Sequence, residues 1–191
     1  MLKDARIDAS APAGMSRRHF LAGCAAAVGM FGLSPAFAHI LSKRPERDLS
    51  FLNLHTGERL KVTYWANGDF VAESLSEINH LLRDFRTGDT HRIDPRLLDI
   101  LYGVREQLGT HKEFHIISGY RSPKTNHLLR TRSHGVAKHS LHMQGKAIDI
   151  RVPGYDIHRL QRAAKSLKAG GVGLYTKSNF VHVDTGRVRY W

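Results

Sequence analysis

His139-Ser140-Leu141-His142-Met143-Gln144-Gly145-Lys146-Ala147-Ile148-Asp149, answered much later by Asn179-Phe180-Val181-His182-Val183-Asp184, decides how this 191-residue chain folds. From Lys146 to Val152 the residues alternate as a strand does: Ile148, Ile150 and Val152 face one side, and Ala147, Asp149 and Arg151 the other. From Phe180 to Asp184, Val181 and Val183 point one way while His182 and Asp184 point the other. If the two strands are neighbours, Asp149 and His182 share a face. Gly145 permits a tight bend that folds His142 back over that face. Two imidazoles and a carboxylate are a common ligand set for a catalytic zinc, which takes three protein ligands and keeps its fourth position for water or substrate. His142, Asp149 and His182 are therefore the candidate ligands, and Zn2+ is the expected cofactor.

Working outward, Ser50 to Leu54 and Leu60 to Trp65 flank His55-Thr56-Gly57-Glu58 and predict an N-terminal β-hairpin. Asn67-Gly68-Asp69 reads as the turn that ends its second strand. Leu75, Ile78, Leu81, Leu82 and Phe85 recur at helical spacing, and so do Leu97, Leu98, Leu101, Val104 and Leu108 after Asp94-Pro95. Phe114 to Ser118 predicts a buried strand, Asp156 to Lys168 a third long helix, and Val172 to Tyr175 with Phe180 to Asp184 a hairpin carrying the last ligand. Residues 122 to 139 are polar and basic, with a short helix expected near Asn126 to Arg130 and a mobile loop at the rim of the site. The order of elements predicts a single α+β domain with a mostly antiparallel sheet, flanking helices and a zinc cleft.

The N-terminus reads as an address and not as fold. Ser16-Arg17-Arg18-His19-Phe20-Leu21 matches a twin-arginine export signal, followed by an apolar run from Leu21 to Leu33 and the small-residue pattern Ala36-Phe37-Ala38. Cleavage is expected after Ala38, giving a signal over residues 1–38, a domain over residues 39–191 and a periplasmic location. The apolar run falls short of the roughly 20 residues a spanning helix needs, so no stable membrane insertion is expected after cleavage. Leu21-Ala22-Gly23-Cys24 mimics a lipidation site, but the apolar run continues past Cys24 where such a cysteine would end it.

Residues 39–191 carry 25 basic and 15 acidic side chains, a net charge of +10, and no cysteine. That composition excludes a thiolate metal site, a disulfide framework and a cysteine nucleophile. The basic balance suits polyanions, but Lys and Arg are scattered and no nucleic-acid motif occurs, so nucleic acid is not the expected partner. An exported basic protein meets anionic cell-wall polymers instead. Nothing in the sequence fixes the oligomeric state.

On Ser118-Gly119-Tyr120-Arg121-Ser122, on Ser140 through Asp149, and on Gly171-Val172-Gly173-Leu174-Tyr175 leading to Phe180 through Asp184, the chain resembles the D-Ala-D-Ala metallopeptidase superfamily, and within it the murein endopeptidase K-like zinc peptidases. The resemblance implies an α+β zinc metallopeptidase that cuts peptide crosslinks of peptidoglycan, at D-Ala to diaminopimelate and also at diaminopimelate to diaminopimelate bonds. It assigns zinc to the same three residues. It also implies a role for Arg121, whose guanidinium would hold a substrate carboxylate or stabilise the oxyanion. Superfamily members place a carboxylate three residues, or a histidine two residues, before the final histidine; here those positions hold Asn179 and Phe180, neither a useful base. Asp184, on the strand face of His182, and His139, near the entrance, are the remaining candidates, with Asp184 favoured as a support for a ligand imidazole. The missing base leaves a non-catalytic, zinc-containing peptidoglycan- or partner-binding module as the alternative.

Overall fold

The structure is a computed structural model and describes residues 34–132 and 135–191. The twin-arginine motif, the apolar run and Cys24 lie outside the described residues.

Strand β1 (Arg47–Asn53) pairs antiparallel with β2 (Arg59–Ala66), which forms the expected hairpin. The chain does not leave the sheet at Asn67-Gly68; it turns there and adds a two-residue strand, β3 (Asp69–Phe70), to β2. The next helix, α2 (Ala72–Leu81), is shorter than its apolar spacing predicts. Asp84 is the reason: its carboxylate accepts the backbone N–H of Arg86 at 3.0 Å and of Ser122 at 2.8 Å, a local alternative to helical bonding that short polar side chains offer. Phe85 consequently lies outside the helix and stacks on His55, ring centroids 3.8 Å apart.

Helix α3 (Pro95–Leu108) starts where the sequence places it, with the Asp94 side chain accepting the N–H of Arg96 and Pro95 at the first position. Its Leu97, Leu98, Leu101, Val104 and Leu108 are all buried, each contributing roughly 1.5–3 kcal/mol relative to exposure. Strand β4 (Phe114–Ser118) follows. Helix α4 (Pro123–Arg132) is longer than the expected short helix. A cap extends it: Ser122 Oγ accepts the N–H of Thr125 at 3.2 Å and Pro123 leads the first turn. A 3-10 turn over Leu141–Gln144 then leads into β5 (Ala147–Arg151). Helix α5 (Ile157–Ser166), capped by Asp156, and strands β6 (Gly171–Tyr175), β7 (Phe180–Asp184) and β8 (Arg189–Tyr190) complete the described chain.

The eight strands form one sheet in the order β3-β2-β1-β4-β5-β7-β6-β8. Only β1 with β4 and β6 with β8 run parallel; the other pairings are antiparallel. Helices α3 and α5 pack together and against the sheet, and their leucines share one core with Ile148, Ile150, Val181 and Val183. Alternation along β5 and β7 turns Asp149 and His182 to the opposite face. A further helix, α1 (Pro35–Ser42), packs on α3 and buries Phe37, Ile40 and Leu41. The expected cleavage point after Ala38 thus falls inside a helix whose Phe37 is part of the core.

Among the described residues no helix is long and apolar enough to cross a membrane.

Candidate metal centre

The strand register brings the ligands together. Asp149 on β5 lies directly opposite His182 on β7, and His182 lies opposite Gly173 on β6. His142 arrives from the 3-10 turn, which Ser140 caps and Gly145 closes with φ 64°. Gly145 is demanded twice over, because a Cβ there would also come within 2.1 Å of the Arg92 carbonyl oxygen. The bend expected from the sequence is therefore also a close crossing of two backbones.

The three candidate ligands meet as a buried group, their ligand atoms all within 4.8 Å of one another. His142 Nε2 lies 3.2 Å from His182 Nδ1 and 3.3 Å from Asp149 Oδ1, and His182 Nδ1 lies 2.8 Å from Asp149 Oδ1. Ligand bonds of about 2.0–2.2 Å in tetrahedral geometry put ligand atoms about 3.3 Å apart. Two of the three separations already match, and the third needs a shift of about half an ångström by that same estimate. The donor set therefore fits a bound metal ion.

Each imidazole is held from behind. The Nδ1–H of His142 donates to the Gly119 carbonyl at 2.8 Å, so Nε2 presents its lone pair to the group. His182 is turned the other way, with Nε2–H donating to Asp184 Oδ2 at 3.0 Å and Nδ1 facing the group. Such outer partners fix the tautomer of a ligating histidine and raise its basicity. Burial pushes the His182 pKa down, but the Asp149 and Asp184 carboxylates outweigh it and raise the value to about 9. Burial likewise pushes Asp149 up, while His142 and His182 hold it well below the ordinary carboxylate range.

Arg121 sits at the same centre. Its backbone N–H donates to the His142 carbonyl at 3.2 Å, and its guanidinium lies 3.8 Å from Asp149 Oδ2 and 3.3 Å from Ser118 Oγ. Its buried Nε has no hydrogen-bond partner, so the guanidinium retains donor capacity beside the ligands.

Asp184 is fully buried and heavily engaged: Oδ1 accepts the N–H groups of Gly171 and Gly186, and both oxygens receive the Arg189 guanidinium. It serves the ring of His182 and has no access to the cleft. His139 is exposed at the rim and lines the cleft with Arg121, Leu141 and the three ligands. The cleft has a volume of about 290 Å³. Asn179, three residues before His182, is an exposed residue of the β6–β7 turn with φ 53°. Its amide side chain suits that left-handed position, which explains the residue type without any role in the cleft.

Several features escape sequence reasoning. Arg189, which braces Asp184, and Trp191, whose ring centroid lies 5.4 Å from that of His182, reach the site only because β8 adds in parallel to β6. Tyr175 and Phe180 stack at 4.6 Å as part of the same wall. Their place opposite each other on paired strands was the one available signal.

The family model described as peptidoglycan L,D-endopeptidase MepK matches residues 42–191. The chain is 46% identical over 177 residues to the peptidoglycan L,D-endopeptidase MepK of Escherichia coli strain K12, covering 92% of this chain and 97% of that one. It is 40% identical over 177 residues to the probable peptidoglycan L,D-endopeptidase MepK of Haemophilus influenzae, covering 92% and 95%.

Proposed function

The chain belongs to the peptidoglycan L,D-endopeptidase MepK family, and from that premise we propose that it is a zinc-dependent endopeptidase of the cell wall that hydrolyses peptide crosslinks of peptidoglycan. The observation that carries the reading is the buried His142, Asp149 and His182 group at the base of a cleft that Arg121 also lines. The relatives' description as L,D-endopeptidases favours a bond from an L centre to a D centre. A diaminopimelate to diaminopimelate crosslink has that stereochemistry, whereas a D-Ala to diaminopimelate crosslink joins two D centres. The first is therefore the preferred substrate bond and the second the lesser one.

His142, Asp149 and His182 would hold the metal, which when bound acidifies water and polarises the scissile carbonyl. The Gly119 carbonyl and the Asp184 carboxylate keep the two imidazoles in the tautomers that binding requires. Arg121, whose guanidinium lines the cleft beside Asp149, would donate to the carbonyl oxygen as negative charge develops there. Water supplies the new hydroxyl on the carbonyl carbon, the C–N bond breaks, and the departing amine takes up a proton. His139, the candidate base at the rim of the cleft, would take up the proton that the water loses and pass it to that amine. Export by the twin-arginine route and action in the periplasm belong to the same reading, supported by the Arg17-Arg18 motif.

The test is incubation of the purified protein with crosslinked peptidoglycan, with chelator and with zinc restored, followed by mass analysis of released muropeptides. Zinc-dependent conversion of dimers to monomers, lost in a folded H142A variant, is the expected result. The position of Asn179 outside the cleft favours one second reading, a zinc-containing binding module. Binding without product by folded, zinc-loaded protein would establish it in place of the enzyme.

A further inference from the structure

The wall of the cleft formed by β6 and β8 is built around one side chain that the metal chemistry does not use. Trp191 is 47% exposed although its indole lies beside the His182 ring. Its backbone is fastened to β6 by bonds from Trp191 N–H to the Val172 carbonyl at 3.2 Å and from Leu174 N–H to the Trp191 carbonyl at 2.9 Å. The indole N–H donates to Tyr175 Oη at 3.1 Å, and the Arg189 guanidinium lies over the ring at 4.9 Å. The ring rests where β6 has no side chain: a Cβ on Gly173 would meet indole atoms at 2.5, 2.6 and 2.7 Å. An aromatic plane that is seated against a glycine, hydrogen-bonded at its polar edge and half open to the cleft is organised to receive something.

We infer that Trp191 is a specificity-determining residue whose exposed indole takes the methylene chain of a diaminopimelate-type side chain in the crosslink, next to the metal ligands. This rests on the functional reading above. A saturated chain with an ionised end suits the site, because its methylenes lose water against the indole while Arg121, which lines the same cleft, supplies positive charge for its carboxylate. A crosslink with alanine in place of diaminopimelate has no chain to lay there. Gly173 is a positioning residue that keeps the seat clear.

Trp65 and Trp191 are the two tryptophans of the chain, and Trp65 packs on Phe70 outside the cleft, so a W65F protein reports on Trp191 alone. Held in chelator to prevent turnover, it is titrated with a diaminopimelate to diaminopimelate crosslinked tetrapeptide dimer. A saturable change in emission is expected, and none with an alanine-substituted dimer. With zinc restored, W191A and G173A should raise KM for the natural dimer roughly tenfold with kcat within about threefold, and W191F, which keeps a ring, should lie between them and wild type. Metal content should be unchanged in all three. Cleavage by wild type combined with a wild-type KM in W191A and a silent titration would overturn the subsite. Failure of the wild type to cleave any crosslink would overturn the enzymatic reading instead, and the emission titration would then decide the subsite by itself.

Discussion

Arg189 clamps the Asp184 carboxylate with both terminal nitrogens, at 2.7 and 3.0 Å, on a carboxylate with no solvent exposure. Burial would push the Asp184 pKa up, but hydrogen bonds from His182 and Arg189 hold it well below the ordinary range. An ionised Asp184 keeps a proton of His182 on Nε2 and leaves Nδ1 turned toward Asp149 and His142. The line Arg189 to Asp184 to His182 thus carries charge from the sheet edge into the centre.

Replacing Asp184 with Asn should therefore weaken zinc binding by about 10- to 100-fold, the usual effect of losing such a partner. Competition against a chromogenic chelator measures it. Unchanged affinity would mean that the His182 ring is oriented by packing alone.

Zinc binding should release protons at neutral pH. With its pKa raised to about 9, His182 carries a proton at pH 7 that it must lose before it ligates. Apparent affinity should rise as pH increases toward 9 and level off above it. In the absence of zinc the sign for stability is opposite: the raised pKa contributes stability fully below about 6.5, and this is lost as pH rises through about 9. Calorimetry in buffers of different ionisation enthalpy counts the released protons.

Asp84 governs a separate acid response. Burial pushes its pKa up, yet hydrogen bonds from Thr125, Ser122 and Arg86 win and hold it low. Its contribution is present above the unfolded value of about 3.9 and is lost as pH falls through the lower folded value. Urea unfolding should show a steeper loss of stability below pH 4 in wild type than in D84N, and D84N should already be less stable at pH 6.

Phe37 stands next to the cleavage point expected after Ala38. Its side chain is 1% exposed within the core, and removing a buried phenylalanine typically costs about 3–5 kcal/mol. A protein beginning at residue 34 should accordingly withstand more urea than one beginning at residue 39. Equal midpoints would show that helix α1 is dispensable, and N-terminal sequencing of exported protein would identify the form the cell makes.

The grouping of His142, Asp149 and His182 was legible because the chemistry and the strand period coincide: Asp149 and His182 alternate with Ile148, Ile150, Val181 and Val183, so one pattern encodes both core and candidate site. Helix starts were legible at Asp94-Pro95 and Asp156, where caps announce themselves. The end of α2 was not, since the Asp84 carboxylate overrides an apolar spacing by bonding to Ser122, 38 residues away. The Arg189 clamp and the Trp191 wall were not legible either. Both depend on a parallel pairing of two residues, Gly171 with Arg189 and Val172 with Tyr190, too short to leave a periodic trace.

The shortness of that last strand matters at the level of the whole sheet. Both outer strands, Asp69–Phe70 and Arg189–Tyr190, are two residues long, and each carries a charged side chain. Exposed strand edges are templates on which another chain can add itself, and short, charged edges deny it the length it needs. An eight-stranded sheet thus ends on both sides in a poor seed for aggregation. The same stub of strand that braces Asp184 behind His182 is also a poor template for a further strand at its own edge.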